Sequence, residues 1–291
     1  MKKLMALILL VTLALAGCAE AAPDTDKSKR AILVVSFGTS YSDTRELTIE
    51  ATEEAFVKAY PDYDIARAFT AQIIIDKLEE RDGIEVDNMQ EALERLKKEK
   101  YSEVIVQPTL IMNGAEYDEM VAVVEEYEEA FDKLVVGDAL LTSHEDYEIV
   151  IEALKAQIGD LAEDEAVLLM GHGTHHFADA AYSAMDLRFK NAGMDNVFVG
   201  TVEGYPLFED VTPRLEEKGI NKVRLMPFML VAGDHASNDM AGDEDDSWKV
   251  MLKQQGYAVE TYMHGLGELK EIQDLFVAHA EAAMHGEEHA E

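Results

Sequence analysis

Short apolar runs alternate with longer amphipathic stretches along most of the chain. Runs rich in Val, Ile and Leu predict buried strands, and apolar positions spaced three or four apart predict helices between them. The predicted strands cover residues 31–36, 65–70, 103–110, 134–138, 166–170, 197–201, 222–230 and 259–263. The predicted helices cover residues 44–59, 71–81, 89–99, 116–132, 145–159, 179–192, 208–218, 248–255 and 268–283. This alternation predicts an α/β fold with parallel sheets flanked by helices.

Loops that follow predicted strands in the first half recur in the same order in the second half. The corresponding pairs are SFGTS (36–40) with GHGTH (171–175), FTAQ (69–72) with GTVE (200–203), and PTLIMNGAE (108–116) with PFMLVAGDH (227–235). The offset between the copies shrinks steadily along the chain, as small deletions in a duplicated unit would produce. We therefore expect two α/β domains related by internal duplication, at residues 31–143 and 144–291.

The two copies differ in their chemistry at corresponding loop positions. Phe37, Gln72 and Glu116 occupy these positions in the first half, and His172, Glu203 and His235 occupy them in the second half. Open α/β sheets bind ligands at the carboxyl ends of their strands, where all these loops are predicted to lie. Two imidazoles and a carboxylate there fit a divalent transition metal with open coordination positions. The same groups could instead accept protons, and the two roles do not exclude each other.

Other polar clusters have both a functional and a solvated interpretation. His175, His176 and Asp179 could relay metal to His172, although polar residues at a helix start are the more ordinary interpretation. The acidic run at 243–246 could collect cations, but a solvated loop before a helix N-cap is the better default. We expect an exposed helical stripe at Glu125, Glu126, Glu128 and Glu129, and a frayed C-terminal end carrying His279, His285 and His289.

Composition narrows the function classes. The 291 residues carry a formal net charge of -34, which argues against a nucleic-acid partner because both molecules would be polyanions. A single Cys excludes a disulfide within one chain, and 48% hydrophobic residues can form a substantial core. The chain has no P-loop and no G-x-G-x-x-G motif opening a helix, so nucleotide chemistry has no support in the sequence.

The first residues have the features of a bacterial targeting signal. Lys2 and Lys3 precede an apolar stretch at 4–16, which is too short to span a membrane, and small residues then lead into Cys18. A small-residue run that ends in the chain's one Cys resembles a lipoprotein signal, whereas an ordinary secretory signal with a chance Cys is the alternative. We expect a signal peptide at 1–17, a lipidated Cys18 with a polar tether to residue 30, and an extracytoplasmic, periplasmic or cell-surface protein. Its contact with the membrane would be through that lipid anchor alone.

The strand-end segments resemble the anaerobic sirohydrochlorin cobaltochelatase family, the class II, ATP-independent tetrapyrrole chelatases. The segments that carry the resemblance are ILVVSFGTSYSDTR (32–45), AFTAQIIIDKL (68–78), VIVQPTLIMNGAEYDEM (104–120), LLMGHGTHHFADAAY (168–182), GTVEGYP (200–206), VAGDHASNDMAGDEDDSW (231–248) and HGLGE (264–268). They span about residues 31 to 280, which is nearly the whole predicted mature chain.

The resemblance implies two flavodoxin-like (chelatase-like) domains facing each other across a cleft that holds the macrocycle. It implies that His172 and His235 bind Co²⁺ and accept pyrrole protons, that Glu203 joins them on the metal, and that Glu116 faces them as a catalytic carboxylate. The residues expected to contact the macrocycle are Phe37, Gly38, Thr39, Gly114, Gly173 and Thr174. Cobalt would be the substrate metal, sirohydrochlorin the tetrapyrrole, and no nucleotide would be needed. Some extracytoplasmic relatives have a His where this chain has Leu110, so haem-mediated assembly through that position is not implied.

The export signal leaves rival functions open, because cobalamin synthesis is usually cytoplasmic. A surface-anchored, non-catalytic tetrapyrrole or metal-binding protein for uptake would keep the same residues. A mononuclear metallohydrolase is a third interpretation of the GHGTHH cluster. Imidazole and carboxylate ligands accept Co²⁺, Fe²⁺ and Ni²⁺ alike, and the sequence leaves self-association into a homo-oligomer open.

Overall fold

A computed structural model describes residues 28–286, and it contains two parallel four-stranded sheets flanked by helices. The first half contains β1 (Lys29–Ser36), α1 (Ser42–Arg45), α2 (Ala51–Ala59), β2 (Asp64–Phe69), α3 (Gln72–Asp82), α4 (Met89–Lys98), β3 (Tyr101–Pro108), α5 (Ala115–Glu125) and β4 (Lys133–Val136). The second half contains α6 (His144–Ile158), β5 (Glu165–Gly171), α7 (Ala180–Asn191), β6 (Val197–Thr201), α8 (Phe208–Glu217), β7 (Lys222–Pro227), α9 (Trp248–Gln254), β8 (Ala258–Thr261) and α10 (Lys270–His285). The predicted architecture is confirmed.

The two sheets have the same topology. Their strand orders are β2-β1-β3-β4 and β6-β5-β7-β8, and every pairing is parallel. In each sheet the first strand along the chain is central, so the loops that follow it are flanked by the loops of its two neighbours. This common order agrees with the predicted duplication and brings corresponding loops to one edge of each sheet.

Proline ends two strands earlier than their apolar patterns predicted. The predicted strands 103–110 and 222–230 stop at Pro108 and Pro227, which cannot donate to the ladder, although the next residue still donates to the central strand (Thr109 to Val35, 2.8 Å; Phe228 to Met170, 2.6 Å). The apolar residues that follow, including Leu110 and Leu230, turn into the space between the sheets. These corresponding prolines therefore convert strand ends into cavity lining.

The acidic helix predicted at 116–132 is shorter than expected. α5 ends at Glu125, and a separate 3-10 turn, Glu128–Ala130, follows it. The last turn of α5 has no basic residue. A continued helix would place four carboxylates at its negative C-terminal end, where the helix dipole repels them; these are Glu125, Glu126, Glu128 and Glu129. Those glutamates are exposed as predicted, while Tyr127 and Phe131 turn into the core.

The prediction of a frayed end for His279 is wrong. His279 lies in α10 with a side chain only 2% exposed, and its Nε2 is 3.1 Å from Oδ1 of Asp146, which is 3% exposed. The apolar face of α10 is buried at Ile272, Phe276 and Ala280, which carries His279 into the core with it. His285 is the last residue of the helix, and His289 lies outside the described residues.

The C-terminal helix α10 covers the first sheet, although it lies within residues 144–291, which the sequence predicts to form the second domain. Its backbone carbonyls at Val277 and Met284 accept hydrogen bonds from Tyr60 Oη (3.3 Å) and Lys133 Nζ (2.8 Å), which both belong to the first half. α10 thus ties the two halves together. Within residues 28–286 no helix combines the length and the apolar character needed to cross a membrane.

Asp146 and His279 should make stability depend on pH. Burial by itself raises the pKa of Asp146, but hydrogen bonds from His279 and from the Ser143 backbone N–H outweigh it and hold that pKa below its usual value. A carboxyl whose pKa is lowered on folding stabilises the protein above its unfolded pKa of about 3.9, and this contribution is lost as pH falls through the folded pKa. We expect Asp146→Asn to lower the free energy of unfolding by about 3 kcal/mol at pH 7, as removal of one buried partner does.

Urea unfolding of the parent and Asp146→Asn at pH 7 and below pH 4 tests this expectation. The gap between the two proteins should narrow in acid. His285→Ala, at the exposed end of the same helix, is the control and should change stability by less than about 0.5 kcal/mol. A gap that stays constant between pH 7 and pH 3 would contradict the proposed linkage.

Candidate active site

A cavity of about 480 Å³ lies between the two halves, at the carboxyl ends of their strands. The lining includes every residue predicted to act on metal, protons or macrocycle: Phe37, Gly38, Thr39, Gly114, Glu116, His172, Gly173, Thr174, Glu203 and His235. Gln72, the first-half counterpart of Glu203, is not among the lining residues and instead bonds Asp76. The topology therefore brings the predicted site residues to one cavity.

His172 and His235 are direct neighbours in this cavity. Their ring centroids are 4.6 Å apart and the rings meet edge to face at 82°. Both side chains are a little over one third exposed, so the imidazoles face the cavity instead of filling the core. His172 follows β5, and His235 immediately precedes a short π-helix, Ala236–Met240, after β7.

Gly173 allows the His172 loop to approach its neighbour closely. Its φ is +87°, and a Cβ there would lie 2.5 Å from the backbone nitrogen of Gly204. Only glycine adopts this conformation at so short a separation without strain. Asp179 completes the arrangement by accepting hydrogen bonds from the N–H groups of Thr174 (3.0 Å) and Tyr205 (2.7 Å). Asp179 thus joins the loops that carry His172 and Glu203.

Each imidazole is oriented by a hydrogen bond at Nδ1. Nδ1 of His172 is 2.9 Å from the Gly173 carbonyl, and Nδ1 of His235 is 2.6 Å from a carboxylate oxygen of Asp239. Both partners are acceptors, so each Nδ1 carries a proton, and in the neutral form of each ring Nε2 keeps its lone pair. The site therefore presents two imidazole nitrogens that can bind a cation or accept a proton.

Glu203 lies on the Nδ1 side of His172. Its Oε1 is 3.3 Å from that nitrogen, which is an ion-pair distance, while the hydrogen bond of Nδ1 goes to the Gly173 carbonyl. Across residues 28–286, no three His, Cys, Asp or Glu side chains are grouped so that they could hold a metal ion. The three predicted metal ligands are neighbours, but they do not form a closed ligand set in this conformation.

Glu116 faces the histidines from the first half. It lies in the first turn of α5, is partly buried, and lines the cavity. Burial raises the pKa of its carboxyl, a positive charge on His172 lowers that pKa, and the nearby Glu119 raises it. The net effect is a pKa above the ordinary value, which makes Glu116 a better proton acceptor than an exposed carboxylate.

Residues outside the predicted set also shape the site. Asp239 was missed because residues 233–239 have the composition of a loop, whereas the π-helix places positions four apart on one side. Tyr41, Lys77 and Asp234 line the cavity, and its apolar surface comes from Ile73, Ile74, Leu110, Ile111, Met112, Met229, Leu230 and Val231.

Tyr182 also lines the cavity. Burial raises the pKa of its phenol to about 12, so the phenol stays neutral near pH 7.

The remaining polar clusters match their ordinary interpretations more closely than their functional ones. His175 is exposed, and His176 accepts a hydrogen bond from the Ala178 N–H while its Nε2 lies 3.4 Å from Asp118. Residues 243–246 are exposed, and the Ser247 side chain accepts from the Val250 N–H at the start of α9. The side chains of His176 and Ser247 therefore stabilise a loop and the start of a helix.

The two-sheet fold and its cleft define a class of chelatase-like α/β proteins. The chain has a TM-score of 0.58 to SirB from Bacillus subtilis with Fe³⁺, at 18% identity over 89% of this chain and 97% of that one. It has a TM-score of 0.51 to CbiX, the terminal enzyme for biosynthesis of siroheme in denitrifying bacteria, at 17% identity over 87% and 99% of the two chains. At these identities the likeness establishes the fold.

Sequence comparison identifies the family. Residues 30–285 match the cobalt chelatase (CbiK) family, and the chain belongs to it. It is 44% identical over 257 residues to the sirohydrochlorin cobaltochelatase of Salmonella typhimurium, covering 88% of this chain and 97% of that protein. It is 33% identical over 260 residues to the sirohydrochlorin cobaltochelatase CbiKC of Nitratidesulfovibrio vulgaris, covering 88% and 91%. The family predicted from the strand-end loops is confirmed.

The position of Glu116 predicts how its pKa responds to its neighbours. His172→Ala should raise the pKa of Glu116 further, because it removes the positive charge that lowers it. Glu119→Gln should lower that pKa, because it removes a neighbouring negative charge. Carboxyl-selective NMR titration of the parent and both variants measures the three values. A Glu116 pKa at or below the ordinary value of about 4.3 in the parent would contradict the assignment.

Proposed function

We propose that this chain is a sirohydrochlorin cobaltochelatase, which inserts Co²⁺ into the tetrapyrrole without ATP. Membership of the cobalt chelatase family and 44% identity to a protein of that activity support the reaction. The single observation that carries the proposal is the imidazole pair, with ring centroids 4.6 Å apart in the cleft. Both Nε2 atoms are left available by the hydrogen bonds at Nδ1.

The reaction replaces two pyrrole N–H protons by one divalent metal ion, so the enzyme has to deliver a cation and remove two protons. Neutral imidazoles can bind Co²⁺ and release it, and they accept protons close to neutral pH. His172 and His235 supply one such nitrogen each. We assign them to metal delivery and to proton uptake, with one proton going to each ring as the metal–nitrogen bonds form.

The carboxylates have different positions and therefore different roles. Glu203 is next to the Nδ1–H of His172, where its negative charge stabilises the imidazolium that proton uptake creates. It also lies close enough to join the metal ligands after a side-chain rotation. Glu116 lies on the opposite wall, and its raised pKa suits it to relay a pyrrole proton to an imidazole, so the two protons still end on the two histidines.

No nucleotide is required, because forming four metal–nitrogen bonds supplies the driving force. The apolar surface of the cavity, which includes Ile74, Met112 and Met229, fits the faces of a flat tetrapyrrole. Phe37, where the second half has His172, adds an aromatic side chain from the first half. The first half thus offers surface for the macrocycle, and the second half offers the metal-binding nitrogens.

An insertion assay tests this function. Purified protein is mixed with sirohydrochlorin or a porphyrin and with Co²⁺ or Fe²⁺, and the shift of the main absorption band is followed. We expect many turnovers per chain for Co²⁺ with sirohydrochlorin, and a fall of at least about 100-fold in His235→Ala, the scale of a lost proton acceptor. Asp239→Asn should fall by about 10- to 100-fold, because it removes only the carboxylate that orients His235.

The control is His144→Ala, an exposed histidine outside the cavity lining, which should retain the parental rate. A parental rate in His235→Ala would overturn the assignment of that residue. At most one metallated product per chain would instead support the alternative of a non-catalytic tetrapyrrole-binding protein, which the export signal favours.

We infer that the protein works outside the cytoplasm as a lipoprotein. The basic Lys2 and Lys3, the apolar stretch at 4–16 and the small residues before Cys18 support this inference. The family match begins at residue 30, which is the last residue of the proposed tether. Neither the insertion reaction nor the lipid anchor requires the protein to form a homo-oligomer.

Expression of the full chain in a bacterial host with labelled fatty acid tests the anchor. We expect label on the parent and recovery in the membrane fraction, and neither in Cys18→Ala. Because Cys18 is the one Cys in the chain, label on the variant would place the lipid elsewhere and contradict the proposal. The soluble fraction of the variant should keep the parental insertion rate.

A further inference from the structure

The charged side chains around the cavity are unevenly distributed. Glu116, Glu203 and Asp234 contribute negative charge, and Lys77 is the one Lys or Arg among the lining residues that the structure describes. Sirohydrochlorin, the substrate under the proposed function, carries carboxylate side chains around its rim. A polycarboxylate entering an acidic cavity needs a cation to compensate repulsion.

Lys77 is held at the rim by an aromatic contact. It lies on the exposed face of α3, and its Nζ is 6.0 Å from the centroid of the Tyr41 ring. The Tyr41 hydroxyl donates to Oδ1 of Asp234 at 3.2 Å, which links this position to the second half. The ammonium is therefore within reach of a weak attraction to the Tyr41 ring, next to the cavity that Lys77 lines.

The charge of Lys77 is not neutralised by the protein. Within residues 28–286, no carboxylate lies within ion-pair distance of its ammonium. Arg81, one turn further along α3, is already paired with Asp82 and donates to the Ser40 carbonyl. Asp76 and Glu80 line a separate outer groove with Lys77 and are absent from the main cavity lining in the described chain.

We propose that Lys77, positioned over Tyr41, binds a peripheral carboxylate of the macrocycle and thereby selects polycarboxylate tetrapyrroles. This inference rests on the proposed function. Ile73 and Ile74 precede Lys77 on α3 and line the same cavity, so a ring edge on these side chains brings its carboxylate toward the ammonium. Glu203, beside His172 in the second half, repels the same groups, which orients the macrocycle as well as binding it.

Lys77→Met tests the proposal, because methionine keeps an unbranched apolar side chain and removes the charge. We expect KM for sirohydrochlorin, and Kd measured without metal by quenching of macrocycle fluorescence, to rise by about 5- to 10-fold, with kcat within about twofold of the parent. In 0.5 M salt, where screening acts within about 4 Å, the difference should shrink. Lys77→Arg should restore most of the affinity.

Two comparisons separate a carboxylate contact from a structural role. Lys190→Met, an equal change of net charge on the exposed face of α7, should behave as the parent does. A dicarboxylate porphyrin should lose much less affinity in Lys77→Met than sirohydrochlorin does. An equal loss for both macrocycles, or a loss that salt leaves unchanged, would overturn the proposal.

The same measurements distinguish failure of this inference from failure of the proposed function. If the parent inserts no metal into sirohydrochlorin, the reaction is wrong, while the metal-free Kd values still report on Lys77. If the parent turns over normally and Lys77→Met has the parental KM and Kd, the reaction stands and the assignment of Lys77 is wrong.

Discussion

The parallel pairing of β5 with β6 and β7 is the constraint on which the site depends. Because β5 lies between the other two, the loops after all three strands emerge side by side at one edge. These loops carry His172, Glu203 and His235, which are far apart in the sequence. A register shift of one residue would displace these loops relative to one another. The ladder hydrogen bonds therefore bring the loops that carry the two imidazoles to one edge of the sheet.

The negative charge of the chain acts differently on the two substrates at the cavity. A net charge of -34 attracts divalent cations but opposes a polycarboxylate, so the two substrates of the proposed reaction respond oppositely to the same field. The site separates these effects in space. Glu203 lies beside the imidazole pair where a cation is needed, and Lys77 lies at the mouth on the first half. The partly buried Glu116 adds proton affinity between them.

Much of the fold could be predicted from the sequence, because each strand is a compact apolar run and each helix has its own period. Element ends were less accurate where apolar residues continued past a proline, as after Pro108 and Pro227. The apolar face of α10 carries His279 into the core, but its pairing with Asp146, 133 residues away, could not be predicted. Local patterns contain no information about such a pairing.

Site residues could be predicted where they lie in loops that directly follow predicted strands. Comparing the two copies placed His172, Glu203, His235 and Glu116 at strand ends, and the structure brings them to one cavity. Asp239 and Lys77 were not predicted as site residues, for different reasons. Asp239 reaches His235 only because the backbone forms a π-helix there, and Lys77 has the spacing of an ordinary exposed helix residue. Neither property is visible without the positions of neighbouring chain segments.

Duplication followed by divergence explains why one cleft can hold two unlike substrates. The two halves provide the same strand order and the same loop positions, so a side chain changed in one copy keeps its place opposite the other. Histidine in the second copy faces Phe37 and Glu116 of the first across the same cavity. Under the proposed function, this arrangement sets metal-binding nitrogens against a macrocycle-binding wall. Metal insertion needs the ion on one side of the ring and a surface supporting the other. α10, which belongs to the second half in sequence and covers the first sheet, joins the two halves through its hydrogen bonds with Tyr60 and Lys133.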